Sequence, residues 1–399
     1  MRWLLPVAAA AAAACAGPAP KTAVVPETDR ANAATLSGGS SEPATESPQP
    51  EPAPEPSLSS VCPFFDAALG RAARSLAESW SDQRPASDAS EVEQRVREEG
   101  GPYVWPHAWT LAGRGDLRAL AGPRLAAWLG TFSDGGERRC GLSFLERSDG
   151  RQVVAAVAVD ALADLQAIPA NVRVGSWVEV RAQMRVPFNG AKVVVLGPRG
   201  APKAAPTSTT GANVVARFAA DAEGAWLVQV LAEVEHGPRP VLEALLIAGS
   251  GSRREGAQQE APGENVVGLE GDPEGLLQQM LGAARNSEGL RPFEREKRLD
   301  QLAHDQALAL RAAQRVAHDL GSGDPETRAS AAGLTLRAVG ENVAHGANVA
   351  AAHRALWSSP SHRSNILSAY FDSIGIGVAR DADGSVWVCE LFGRFGDER

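Results

Sequence analysis

The chain is poor in aromatic residues and cysteines and has no excess of positive charge. Aromatics make up 5% of its 399 residues although hydrophobic residues of all kinds reach 44%. Ala, Val and Leu carry most of that content, so part of it belongs to a leader and to small-residue helices rather than to bulky cores. The formal net charge is −9, and no basic run is interleaved with aromatics. Nucleic acid is excluded as a partner, because affinity for phosphates rests on Lys and Arg. No apolar run approaches the roughly 20 residues that cross a bilayer as a helix. Between Cys140 and Ile247 there is no metal-ligand spacing, phosphate loop or nucleophile elbow, and the reading assigns the protein no metal and no cofactor.

What is present begins with a leader. Met1-Arg2-Trp3-Leu4-Leu5-Pro6-Val7, the alanine run Ala8 to Ala14 and then Cys15 combine one positive charge, a short apolar stretch and small residues before a cleavage point, as export signals do. A Cys at that place resembles the bacterial lipoprotein signal, which makes Cys15 the expected lipid anchor and the only membrane contact. The usual Leu three residues earlier is Ala12 here, so plain cleavage to a soluble product stays open. In an oxidising compartment the remaining thiols are Cys62, Cys140 and Cys389. Cys62 opens a helical segment and Cys140 precedes the first clear β stretch, so these two are expected to pair. Cys389, inside the apolar run Val386 to Phe392, reads as a small buried hydrophobe.

Composition divides the rest. Residues 16–60 hold nine prolines and no aromatics, too little apolar surface to offset ordering entropy, and read as a disordered Pro/Ala/Glu-rich tether. From Val61, the apolar positions Phe64, Phe65, Leu69, Ala72 and Leu76 predict a leading helix. The patch Tyr103-Val104-Trp105-Pro106-His107-Ala108-Trp109 reads as a core-covering loop, with a sugar-stacking surface as the alternative. Alternation at Val178, Val180, Ala182 and Met184 and at Val214, Ala216 and Phe218, with turn signals between the runs, predicts a sandwich-like β region. Residues 61–249 are therefore expected to be a helix plus a β-rich domain, 250–266 a linker and 267–399 a second domain. The stripe Leu302 to Leu320 predicts one long helix there.

The chemistry concentrates in this last domain, which carries five of the seven histidines. Gly340-Glu341-Asn342-Val343 is followed by Trp357-Ser358-Ser359-Pro360-Ser361-His362-Arg363-Ser364-Asn365-Ile366-Leu367. Before them come Arg285-Asn286, Gly289-Leu290-Arg291-Pro292-Phe293, Arg328 and Ala331-Ala332-Gly333-Leu334; after them come Ile374 to Ala379 and Val386 to Gly393. In this order the segments resemble the CAP superfamily of cysteine-rich secretory, antigen 5 and pathogenesis-related proteins, in its short bacterial form. The resemblance covers about one third of the chain. It implies an α+β multidomain protein whose C-terminal part is a three-layer α-β-α sandwich with a cleft lined, in complete members, by two His and two acidic residues. Glu341 and His362 match one of each, with Asn342 and Asn365 placed beside them; the first His and the second acid find no match. His304, His318, His345 and His353 read as residues of solvated helix faces.

Two donors are fewer than a zinc site needs, and no activated Ser, Thr or Cys accompanies them. The expectation is an exported envelope protein whose cleft binds a small lipid-like ligand or an envelope protein or polymer without catalysis. Two alternatives stand beside it. One is a hydrolase of peptides or envelope polymers using Glu341 and His362, and the other is a scaffold whose β-rich domain does the recognising.

Overall fold

The computed structural model describes residues 23–24 and 61–396, apart from 63, 82–88, 134, 235–236, 254–259 and 266–270. The leader, Cys15 and the tether lie outside the described residues except for β1 (Ala23–Val24), which pairs in parallel with β2 (His107–Gly113). Among the described residues no helix is long and apolar enough to cross a membrane. The protein mixes helices and sheets throughout, with a β-rich N-terminal region.

Where the sequence suggested one helix, an α/β layer precedes the β region. Helices α1 (Ala67–Ser79) and α2 (Ala89–Glu98) cover one face of the sheet β1-β2-β4-β3, and α3 (Leu117–Leu129) covers the other. The central strand β4 (Gln152–Ala161) is buried from Val153 to Ala161. Both of its faces meet helices, which is why Val153 to Val159 is continuously apolar rather than alternating. The two extra helices were hard to read: α3 contains Gly122 and Pro123, and α2 shows only Val92 and Val96 as fully buried apolar positions. Cys62 is joined by a disulfide to Cys140 on β3 (Glu137–Glu146), closing a separation of 78 residues. The Tyr103–Trp109 patch is core: Tyr103, Trp105, His107 and Trp109 are all buried. Tyr103 donates to Asp66 at 2.7 Å, and Arg239 stacks over Trp105 at 3.6 Å.

A β-sandwich follows. One sheet has the order β10-β11-β7-β5 and the other β6-β13-β12-β8-β9. The strands are β5 (Ala163–Leu165), β6 (Asn171–Val172), β7 (Ser176–Met184), β8 (Gly190–Leu196), β9 (Lys203–Ala205), β10 (Thr207–Thr210), β11 (Asn213–Ala220), β12 (Gly224–Val234) and β13 (Gly237–Ala248). The two sheets enclose a core of their own around Val180, Val193, Val214, Val230 and Leu246.

The C-terminal unit is the expected three-layer sandwich. Its sheet, β14-β16-β17-β15, comprises β14 (Glu294–Arg295), β15 (Leu336–Gly346), β16 (Ser373–Arg380) and β17 (Val386–Phe395). Helix α4 (Pro273–Ser287) starts behind the N-cap Asp272; with α7 (Val349–Ser358) and α8 (Pro360–Ile366) it builds the core on one face. Helix α5 (Lys297–Ala313) covers the opposite face. It lies directly on β16, because a Cβ on Gly375 or Gly377 would come within 2.0 or 2.2 Å of the backbone of Leu299 or Ala303. A short α6 (Pro325–Ala331) sits beside β15. The long helix expected to reach Leu320 stops at Ala313. Gln314 turns left-handed at φ 48, and its side chain donates to Arg311 O and Asp381. The described part of the 250–266 segment also docks here, Ala261 entering the core and Glu264 pairing with Arg354.

Opening the Cys62–Cys140 loop restores its entropy to the unfolded chain. Cys62→Ser/Cys140→Ser should lower unfolding free energy by about 2–5 kcal/mol, measured by urea titration of the α/β layer against the unchanged transition of the C-terminal unit.

Candidate functional site

Gly340, Glu341 and Asn342 stand in the middle of β15, in the sheet itself, and period-two alternation sends their side chains to opposite layers. Glu341 lies across from Leu391 and Asn342 across from Glu390. Leu391 belongs to the α5 core, so Glu341 faces α5, whereas Asn342 faces α7 and α8.

The Glu341 carboxylate is fully buried. Its Oε1 lies 2.6 Å from His318 Nδ1, its Oε2 is bonded by Arg328, and Cys389 Sγ donates to it at 3.4 Å. Arg328 also holds His318 O and Gly323 O, and Gln306 holds Ala317 O. The segment after α5 is thereby bent over the edge of β15. Burial, with Glu341 adding to it, pushes the Cys389 thiol well up.

On the other layer, the amide of Asn342 ties α8 to the sheet. Its Nδ2 donates to His362 O at 3.2 Å and to Glu390 at 2.8 Å, and its Oδ1 accepts from Asn365 at 2.9 Å. Asn365 and Asn342 therefore hold the site rather than line it. Arg363 stacks on Trp357 at 3.9 Å and bonds its carbonyl, and Arg285 caps α8 through Ile366 O and Ser368 O. Held in this way, His362 is 3% exposed and neither ring nitrogen finds a hydrogen-bond partner among the described residues. Burial, with a contribution from His318, lowers its pKa to about 3. Glu390 is also fully buried, and desolvation raises its carboxyl to about 8.

Residues 279–391 match the cysteine-rich secretory protein family. They form a CAP domain. The solved structures similar to the chain include an outer surface protein of Borrelia burgdorferi, 22% identical over 31% of this chain and 92% of that one, with a TM-score of 0.29. An extracellular protein with an SCP domain from Bacillus anthracis is 13% identical over 57% and 88%, with a TM-score of 0.29. A cysteine-rich secretory protein of Staphylococcus aureus is 11% identical over 58% and 86%, with a TM-score of 0.27. No curated protein matches the sequence.

The CAP domain corrects the sequence reading at the first imidazole. No direct Glu341–His362 pair is formed; it is His318 that bonds Glu341. His318 was expected on a solvated face because the helix was expected to run through Leu320; with the helix ending at Ala313, its ring meets Glu341 instead. The spacing His318, Arg328, Glu341 was the signal available. His353 is likewise no surface residue: it is fully buried, its Nε2 3.3 Å from Pro262 O, and burial lowers its pKa to about 4. His345 is on β15 against Trp387. His304 is the residue of the four that lies on an exposed helix face. Among the described residues no group of three or more His, Cys, Asp or Glu is placed to hold a metal. His318 Nε2 and the His362 ring offer two nitrogens, and structural or catalytic zinc takes at least three protein ligands.

Two variants separate structure from site. Glu341→Gln leaves Arg328 buried without its counter-charge and should cost about 3–5 kcal/mol. His362→Gln breaks no side-chain hydrogen bond and should cost on the order of 1 kcal/mol, both read by urea unfolding at pH 7. The two buried titrating groups act in opposite directions. A carboxyl raised to about 8 favours the fold below its ordinary 4.5 and loses that contribution as pH climbs to 8. An imidazole lowered to about 3 favours the fold above 6.5 and loses it as pH falls. Glu390→Gln should therefore stabilise by on the order of 2–4 kcal/mol at pH 8 and hardly at all at pH 4, in unfolding titrations at the two pH values.

Proposed function

We propose that this chain is an exported, envelope-bound protein whose CAP domain binds a ligand or partner through His318 and His362 and does not turn it over. The observation that carries the reading is a pair of imidazoles fixed by their surroundings with ring nitrogens left over. Among the described residues, His318 Nε2 and both nitrogens of His362 are buried and unpartnered. A buried polar group without a partner is costly and marks a place where another molecule completes the bonding. Neutral His362 offers one donor and one acceptor, which suits a hydroxyl- or amide-bearing head of a lipid-like molecule or of an envelope polymer.

The absence of a positioned nucleophile supports binding over turnover. The Ser359 and Ser361 hydroxyls bond each other at 3.2 Å. Cys389 is held as a thiol beside Glu341, and a thiol is a poor nucleophile. One observation favours hydrolysis as a second reading: Glu341 on Nδ1 leaves Nε2 of His318 as the free nitrogen, the arrangement that orients a general base toward water. A scaffold that recognises partners through Tyr103–Trp109 has no such support, since those aromatics are buried.

Envelope attachment rests on the leader and Cys15. Cys15→Ser should move the protein from the membrane fraction to the soluble one; unchanged fractionation would remove the anchor. For the cleft, solvent extracts of purified full-length protein should yield a co-purifying compound by mass spectrometry, lost from His318→Gln and His362→Gln. Identical extracts from all three proteins would refute the reading, and release of a cleaved product dependent on His318 would favour the hydrolase.

A further inference from the structure

The two sheets of the β-sandwich differ in what their outer faces show. Strands β7 and β11 alternate cleanly, and their outward residues Trp177, Glu179, Arg181 and Arg217 are exposed. Strands β8, β12 and β13 do not alternate. Val193, Val195, Val228 and Val230 point into the sandwich core. Their outward neighbours Val194, Leu196, Leu227 and Leu231 are buried as well, in two small clusters of their own. A sheet whose far side meets water has no physical reason for leucine and valine there, so this face is built to be covered.

Its covering includes the CAP domain. Helix α8 packs on β8 and β12, and α2 bridges β13 and β15. Polar groups fix the fit. Gln229 donates to Glu243 at 3.0 Å, and Glu243 is ion-paired with Arg97 of α2. Between the layers lies a cavity of about 50 Å³, lined among others by His362, Ser359, Gln229, Glu243, Arg97 and Trp105. Gln229 Oε1 is buried in it without a partner among the described residues, as are the His362 nitrogens. That volume is enough for a few waters.

We infer that the outer face of the five-stranded sheet is an intramolecular cap seated on the His362 side of the CAP cleft. A ligand reaches that imidazole only when α8 and β8–β12 part. The occupant is a segment of this same chain, identified by its apolar outward residues, by Gln229 opposite His362 across the cavity and by the Arg97–Glu243 pair that locks α2 into the junction. The use of the cap as a gate rests on the binding function proposed above, while the cap itself does not.

Carbethoxylation by diethyl pyrocarbonate, followed by peptide mass mapping of the full-length protein, tests the cap without any ligand. His304, exposed on α5, is the internal reference, and buried His353 reports whether the CAP core stays closed. In the wild type, His362 should react on the order of tenfold or more slowly than His304. Val194→Arg/Leu231→Arg should bring the two rates within a few-fold while His353 stays protected. Trp177→Ala, on the solvent face of the other sheet, should change nothing. Equal rates for His362 and His304 in the wild type would overturn the cap, as would a folded double variant in which His362 is still protected. Should His353 become reactive too, the CAP core has opened, and the milder Leu231→Ser decides by the same two rates.

Discussion

A carboxylate with no exposed surface must carry its compensation with it, and Glu341 is that carboxylate. Its charge is taken out of water at the edge strand of the CAP sheet, where desolvation costs several kcal/mol unless cations and donors replace the lost solvent. Arg328 and His318 supply the replacement, and each brings backbone with it. Arg328 grips the carbonyls of His318 and Gly323, so the segment leaving α5 is folded down over β15 and the unpaired edge of the sheet is covered. The orientation of His318, the neutral state of the Cys389 thiol beneath it and the closure of the sheet edge are consequences of burying one charge.

The family motifs were legible because they are local. Gly340-Glu341-Asn342 and Trp357 to Leu367 fix short-range geometry, and the sheet they imply is present. His318 was not legible because the apolar stripe continues through Val316 and Leu320, and nothing in Gln314 announces a left-handed residue. That break depends on bonds to Arg311 and to Asp381, 67 residues on. The aromatic patch was ambiguous for the same reason. Tyr103 and Trp105 are buried by Asp66, Arg139 and Arg239, partners a linear reading cannot place. Two helices of the first layer were hidden by internal Gly and Pro and by a thin apolar stripe.

Strand patterns carried more information than their presence alone. An alternating strand and a continuously apolar one are both strands, but they make different statements about the far side. β7 and β11 state that one face meets water. β4 states that two helix layers sandwich it, and β8, β12 and β13 state that the β-sandwich is not a free-standing module. The buried Arg97–Glu243–Gln229 set adds little net stability of its own, since desolvation offsets the Coulombic gain. Its directional bonds instead select one docking register for surfaces that are otherwise greasy and tolerant of sliding.

The Gly-Glu-Asn triplet can be understood from the pleat of a single edge strand. Gly340 comes first because a Cβ there would meet the Phe371 ring at 2.7 Å, so the chain passes only without a side chain. Glu341 turns to the α5 layer and Asn342, one residue on, to the α8 layer. Each successive position thus addresses a different neighbour. The amide is required at the third position because its environment asks for two donors and an acceptor without charge: His362 O and Glu390 take the donors, and Asn365 uses the acceptor. An aspartate would offer no donor to either, and would bury a further negative charge where desolvation already keeps the Glu390 carboxyl protonated at neutral pH. Glu341 sets the imidazole of His318 and Asn342 sets the helix that bears His362, so two adjacent residues of β15 position the two imidazoles from opposite faces of the sheet.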